Sequence, residues 1–174
     1  KEQPTSENSI VAETKVEEQA PTSTVYISPL QEIKTRNDNL GTVGRLYIPT
    51  INLNVGVNYA NFYTDQNYDA QAIVDRADSA AYFQFGSKTT IADHSYQGFN
   101  RIINLSSGAE AYLKRQDGTI EIFRLNNKFT GRNISEDLID TTGNSVQNMS
   151  GNLIIYTCYG TGDGVMITLW DKIA

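Results

Sequence analysis

A thiol and an imidazole are well suited to nucleophilic acyl chemistry near neutral pH, and this sequence contains one of each, Cys158 and His94. The imidazole can take the thiol proton, leaving a thiolate beside an imidazolium, and can later hand a proton to a leaving amine. Both residues close short apolar runs. Asn152-Leu153-Ile154-Ile155-Tyr156-Thr157-Cys158 precedes the turn Gly160-Thr161-Gly162-Asp163-Gly164, and Thr89-Thr90-Ile91-Ala92 leads into Asp93-His94-Ser95-Tyr96. A strand end beside a glycine-rich loop holds a reactive atom on a rigid support and leaves room for a substrate carbonyl. Plainer roles also fit: a small apolar side chain in a buried strand for Cys158, and a structural imidazole for His94.

The composition narrows the classes. A lone cysteine excludes an internal disulfide and a cysteine-rich zinc site, and no second thiol of the chain can capture it. A formal charge of −6 spread over 174 residues supplies no basic stripe for nucleic acid or an anionic membrane surface. No apolar run approaches the roughly 20 residues that cross a bilayer. The chain opens on Lys1, which leaves an upstream targeting or anchoring segment open, and membrane attachment is expected only through such a segment.

Residues 1–40 are rich in Glu, Ser, Thr, Pro and Gln, with apolar residues too scattered for a core face, and read as a flexible linker or arm. Val25-Tyr26-Ile27 and Pro29-Leu30 are the patches by which the arm could dock. The domain is expected over 41–174. From Gly44 onward, short β-branched and aromatic segments alternate with Gly, Asn and Pro. Candidate strands are Arg45–Ile48, Leu53–Val57, Ala81–Gln84, Thr89–Ala92, Glu110–Lys114, Thr119–Thr130, Asn152–Cys158 and Val165–Trp170, enough for an all-β, closed eight-stranded β-barrel. Gln116-Asp117-Gly118 predicts a hairpin turn. Short helices are expected in the connections at Asp69–Arg76, Asn100–Leu105 and Ser135–Asp140, the last from a Ser-Glu-Asp capping signal.

In this order the segments resemble the sortase family from about Gly44 to Trp170. Gly44-Arg45-Leu46-Tyr47-Ile48-Pro49 with Ile51-Asn52-Leu53-Asn54-Val55 is similar to the family's opening strands. Ile91-Ala92-Asp93-His94-Ser95 followed by Phe99-Asn100-Arg101-Ile102-Ile103-Asn104-Leu105 resembles its histidine segment and short helix. Gly108-Ala109-Glu110-Ala111-Tyr112-Leu113 resembles the next strand, and Leu153-Ile154-Ile155-Tyr156-Thr157-Cys158 the Thr-Cys strand. The resemblance implies a β-barrel cysteine transpeptidase on the outer face of a Gram-positive membrane. Its partners would be the sorting-signal peptide of a surface protein and an amine acceptor, a cell-wall precursor or a pilin lysine. It implies Cys158 as nucleophile and His94 as proton carrier at one barrel mouth, Thr157 shaping the pocket, and no metal or organic cofactor.

Departures from the family pattern matter as much. The strand after the nucleophile carries an arginine in sortases, whereas Gly164-Val165-Met166-Ile167-Thr168-Leu169-Trp170 has none, and no arginine follows Cys158. Removing one oxyanion donor costs on the order of 3 kcal/mol. Arg101 and the backbone N–H groups of Tyr159 and Gly160 are the candidate substitutes, and an exposed helix arginine is the plainer reading of Arg101. Asp93 stands where the family more often has glycine, and either steadies the imidazolium or points into solvent. Tyr96, Tyr156 and Tyr159 either pack a peptide or cover barrel edges. Residues 129–149 should wall the substrate groove. Their acids Glu136, Asp137 and Asp140 match no dedicated calcium loop and read as solvated helix acids. Two other outcomes stay open: a weak or inactive peptide-binding module, and a cysteine peptidase with water as acceptor.

Overall fold

The computed structural model describes residues 43–60, 70–134 and 137–174, so the expected arm over 1–40 lies outside them. Nine strands follow one another: β1 (Gly44–Ile48), β2 (Leu53–Tyr59), β3 (Ala80–Phe85), β4 (Lys88–Ala92), β5 (Glu110–Arg115), β6 (Ile120–Ile134), β7 (Asp137–Asp140), β8 (Leu153–Cys158) and β9 (Gly164–Lys172). They form one sheet in the order β5-β1-β2-β3-β4-β8-β9-β6-β7, and an additional β5–β6 pairing closes eight of them into a barrel. The ninth strand, β7, hangs on the far end of the long β6.

The hairpin between β5 and β6 forms where Asp-Gly demands it. Gly118 adopts φ 86°, and the Asp117 carboxylate accepts the Thr119 N–H at 2.8 Å. Phe99–Asn104 forms a 3-10 turn, and a helix spans Ala70–Val74. The helix expected over Ser135–Asp140 is instead β7 from Asp137 onward, with Ser135 and Glu136 outside the described residues. Pairing along β6 overrides the local capping signal, and Leu138 is buried at 2% exposure. Gly131 permits the close approach, since a Cβ there would meet the Ile139 carbonyl oxygen at 2.2 Å.

Because side chains alternate along a strand, the sheet carries two cores. Inward residues such as Leu46, Val55, Ile91, Ile155 and Trp170 fill the barrel, and Phe99, Ile102 and Leu105 pack against them from the 3-10 segment. Outward residues form three separate clusters, one of them Tyr47 and Tyr112 with Ile120 and Ile122, and the other two flank β4 and β8. Of those two, one joins Ala81, Phe83 and Ala92 to Ile73 and Val74 of the helix. The other joins Ile154, Val165 and Ile167 to Leu138 of β7 and to Val146. The parallel strands β4 and β8 run side by side between these covers.

Trp170 is fully buried and needs a partner for its indole N–H, which Thr168 Oγ1 accepts at 2.8 Å while donating to the Ile155 carbonyl at 2.7 Å. A Thr168→Val substitution keeps the volume but orphans the indole, and should cost about 1–3 kcal/mol in denaturant unfolding. A loss below about 0.5 kcal/mol would show that this bond does not hold the barrel interior together.

Candidate functional site

The register between β4 and β8 builds the site. Thr89 pairs with Leu153 and Ala92 with Tyr156, so one step further Asp93 stands beside Thr157, and two steps further His94 stands beside Cys158. Continued past the end of β4, that register carries the thiol and imidazole residues toward the same end of the strand pair. Alternation turns Thr157 inward, where it is buried at 2% exposure, and Cys158 outward, where it is exposed. The Thr157 hydroxyl donates to the Asp93 carbonyl at 2.8 Å and locks the two strand ends together.

Cys158 and His94 line one cavity of about 250 Å³. It lies on the outer face of the barrel wall at these strand ends, not inside a barrel mouth. Gln71 and Val74 of the helix form one flank, and Asn133, Asp163 and Val165 the other. Tyr156 is part of the lining, and its ring meets Phe83 edge-on with centroids 6.5 Å apart. Burial pushes its hydroxyl up to about 12, with the neighbouring Cys158 adding to the effect, so the phenol stays protonated.

His94 Nε2 donates to Asp75 Oδ1 at 2.8 Å, a contact absent from the sequence reading. Asp75 follows the helix Ala70–Val74, and its hydrogen bonds to His94 and then Gln71 hold its carboxyl below the usual carboxylate range. Tyr96 stacks on the imidazole with centroids 4.7 Å apart and an interplanar angle of 16°, while its own ring is 76% exposed.

Asp93 neither touches the imidazole ring nor points into solvent. It is buried at 4% exposure, its Oδ1 accepts the His94 backbone N–H at 2.7 Å, and its Oδ2 meets no partner among the described residues. Arg101 is not brought to the cavity. Its Nη1 donates to the carbonyls of Ile51 and Asn52 at 3.0 and 3.1 Å, which pins the turn between β1 and β2. Tyr159 is 45% exposed and outside the cavity lining, and its N–H is taken by the Gly164 carbonyl at 2.9 Å. Of the two backbone donors considered, Gly160 N–H is the one not committed to this turn.

The position that pairs directly with Cys158 on β9 is Val165, so the strand neighbour presents an apolar side chain to the cavity. No lysine or arginine belongs to the cavity lining among the described residues. Arg132 is tied to the lining through its partners: it pairs in register with Gly164 and binds Asp163 Oδ2 through Nε and Nη2 at 3.0 and 2.7 Å. Asp140 and Asp137 bind inside their own turn, to Thr142 and Asn144 and to Ser145 respectively. No group of three metal-ligating side chains occurs among the described residues.

No family model and no curated protein matches the chain. Solved structures do. Sortase C from Clostridium perfringens SM101 superposes with a TM-score of 0.51 at 14% identity, covering 76% of this chain and 70% of that one. The chain has the fold of the sortases. A Clostridium perfringens sortase D5 transpeptidase aligns with a TM-score of 0.53 at 16% identity over 83% of this chain and 88% of that one. Listeria monocytogenes sortase A gives 0.52 at 13% identity over 77% and 88%. The likeness extends to the closed eight-stranded barrel.

Burial raises the Asp93 carboxyl to about 7 from 3.8, and the Asp78 charge adds to the rise while the His94 contacts oppose it. Between those two values the native state holds a proton that the unfolded chain has lost. The stability contributed by this group is therefore full below about pH 4 and is lost as the pH rises to about 7, by about 2–4 kcal/mol. Asn mimics the protonated acid, so the melting temperature of Asp93→Asn relative to the parent should climb by several degrees between pH 4 and pH 8. A difference that stays flat across that range would mean the carboxyl is ionised in the native state throughout.

Proposed function

We propose that the protein is a sortase-like cysteine transpeptidase that exchanges a peptide amide through a thioester on Cys158. The observation that carries this reading is the parallel β4–β8 register, which brings the chain's one thiol and one imidazole to a shared, solvent-open cavity. In the first half-reaction the Cys158 sulfur, its proton transferred to His94, adds to the scissile carbonyl carbon. The C–N bond then breaks, the leaving amine takes the proton from the imidazolium, and a thioester remains. In the second half-reaction an incoming amine adds to the thioester carbonyl and yields a proton to His94. The C–S bond breaks, the proton returns to the thiolate, and the amide product leaves. Water in place of the amine gives a carboxylic acid and makes the same site a peptidase.

The substrate in this reading is the sorting-signal peptide of a surface protein, and the acceptor is an amine of a cell-wall precursor or pilin, at the outer face of the membrane. Asn133 and the Gly162–Gly164 turn line the flank along which such a peptide would lie. Thr157 acts through its bond to the Asp93 carbonyl, holding the thiol and imidazole strands in register.

One observation favours a second reading, a peptide-binding module without turnover. The cavity has no lysine or arginine in its lining among the described residues, and Val165 faces it beside Cys158. Without a cation, the oxyanion depends on neutral donors, which are weaker partners for a full charge.

Mixing the protein with a panel of sorting-motif peptides and following intact mass separates these readings. The transpeptidase gains a covalent acyl adduct, forms amide product when an amine is supplied, and loses both in Cys158→Ala. His94→Ala should lower the rate by about 10²–10⁴-fold. Peptide affinity with no adduct under any condition would remove the enzymatic reading.

A further inference from the structure

We infer that Asp75 is the positioning residue of the site: it holds the His94 ring with hydrogen on Nε2, so that Nδ1 is the nitrogen free to exchange a proton with Cys158. This deepens the transpeptidase reading and rests on it. A carboxylate can only accept, so the 2.8 Å contact between Asp75 Oδ1 and His94 Nε2 requires the hydrogen to sit on Nε2. A neutral imidazole then keeps its lone pair on Nδ1. When the ring becomes imidazolium, the same carboxylate lies against the new positive charge.

Exposed ion pairs on a protein surface commonly contribute little to stability, and Asp75 is more than half exposed. This pair differs in being built from both sides. Gln71 Nε2 donates to the same Asp75 oxygen at 2.8 Å. The turn that follows His94 is tied to the segment that carries Asp75 by the Gln97 side chain. Gln97 Nε2 donates to the carbonyls of Val74 and Arg76, and its Oε1 accepts the Asp78 N–H at 3.2 Å. Three hydrogen bonds from one side chain thus fix the separation of Asp75 and His94, and Tyr96 stacked on the ring fixes its plane. The other acid on His94's own segment, Asp93, binds the backbone N–H and leaves the ring alone. Asp163, across the cavity, is engaged by Arg132.

The chain's single histidine and single cysteine make the test clean. Imidazole nitrogen NMR on the full chain should show the neutral His94 ring protonated on Nε2, and a mixture of tautomers in Asp75→Asn. Alkylation of Cys158 by iodoacetamide at pH 7 should slow about tenfold in Asp75→Asn and return to within about threefold of the parent rate in Asp75→Glu. Thermal melting should be nearly unchanged in both variants. Either readout left unmoved by Asp75→Asn, or a faster alkylation that would mark Asp75 as a latch on the ring, overturns the assignment. The His94→Ala variant separates the two levels of the argument. If it slows alkylation while Asp75→Asn does not, only the role of Asp75 fails. If His94→Ala also leaves alkylation unchanged, the thiol and imidazole are not coupled, and the transpeptidase reading falls with it.

Discussion

The parallel alignment of β4 with β8 is the constraint on which the site depends. Two parallel neighbours need a long crossover between them, and here the chain travels through β5, β6 and β7 before returning as β8. Nothing local to either strand sets their relative register. A slip of one residue would carry Cys158 from the outer face to the barrel interior, because the side-chain period is two. Register is held by what each face buries, Ile91 and Ile155 inward, Ala92 and Ile154 outward, and at the functional end by Thr157 bonded to the Asp93 carbonyl. That buried hydroxyl serves both folding and site geometry, since an unpartnered carbonyl there would be costly and a shifted strand would leave one.

The two-faced burial explains why the cavity lies outside the barrel. Barrel strands are commonly half-buried, with polar residues outward. Here β8 and β9 are apolar on both faces, because the helix Ala70–Val74 covers one outer patch and β7 with the Val146 segment covers another. The covers do not meet. Tyr156 packs against both, and the gap above it is the cavity that receives Cys158 and His94. The depth of the site is thus set by elements laid over the barrel, while the barrel itself provides the floor.

This division also accounts for what could be read from the sequence. The strands, the Asp117-Gly118 hairpin and the ordering of the histidine and cysteine segments are local patterns, and all are found in the fold. The pairing of strands is not local, so apolar runs such as Leu153–Ile155 left the facing of Cys158 open. The β7 segment carried a helix-start signal in Ser-Glu-Asp but pairs with β6, where Gly131 allows a close approach that no capping rule anticipates. Asp75 was invisible for a different reason. It follows a short helix 19 residues before His94, and an acid after a helical turn has no distinguishing mark until Gln97 ties that segment to the histidine turn. Arg101 was attractive because it follows His94 closely, yet a 3-10 segment turns its guanidinium toward Ile51 and Asn52.

The electrostatics of the cavity follow from the same covers. Asp75, Asp93 and Asp163 surround the thiol and imidazole, and each is quieted differently: Asp75 by the imidazole, Asp163 by Arg132, Asp93 by protonation under burial. Of the three, only Asp75 sets an ionised carboxylate directly against the imidazole, where it favours the charged ring. The remaining groups of the cavity lining near Cys158 are neutral: the Tyr156 hydroxyl, which burial keeps protonated, the glycines of the Gly162–Gly164 turn, and the apolar Val165. Under the proposed transpeptidase reading, such neutral dipoles would gain strength as a bound peptide excluded water and the local dielectric fell. In that same reading, the exposed rings of Tyr96, stacked on the imidazole, and of Tyr159, next to Cys158 in the chain, are the apolar surfaces a peptide would cover.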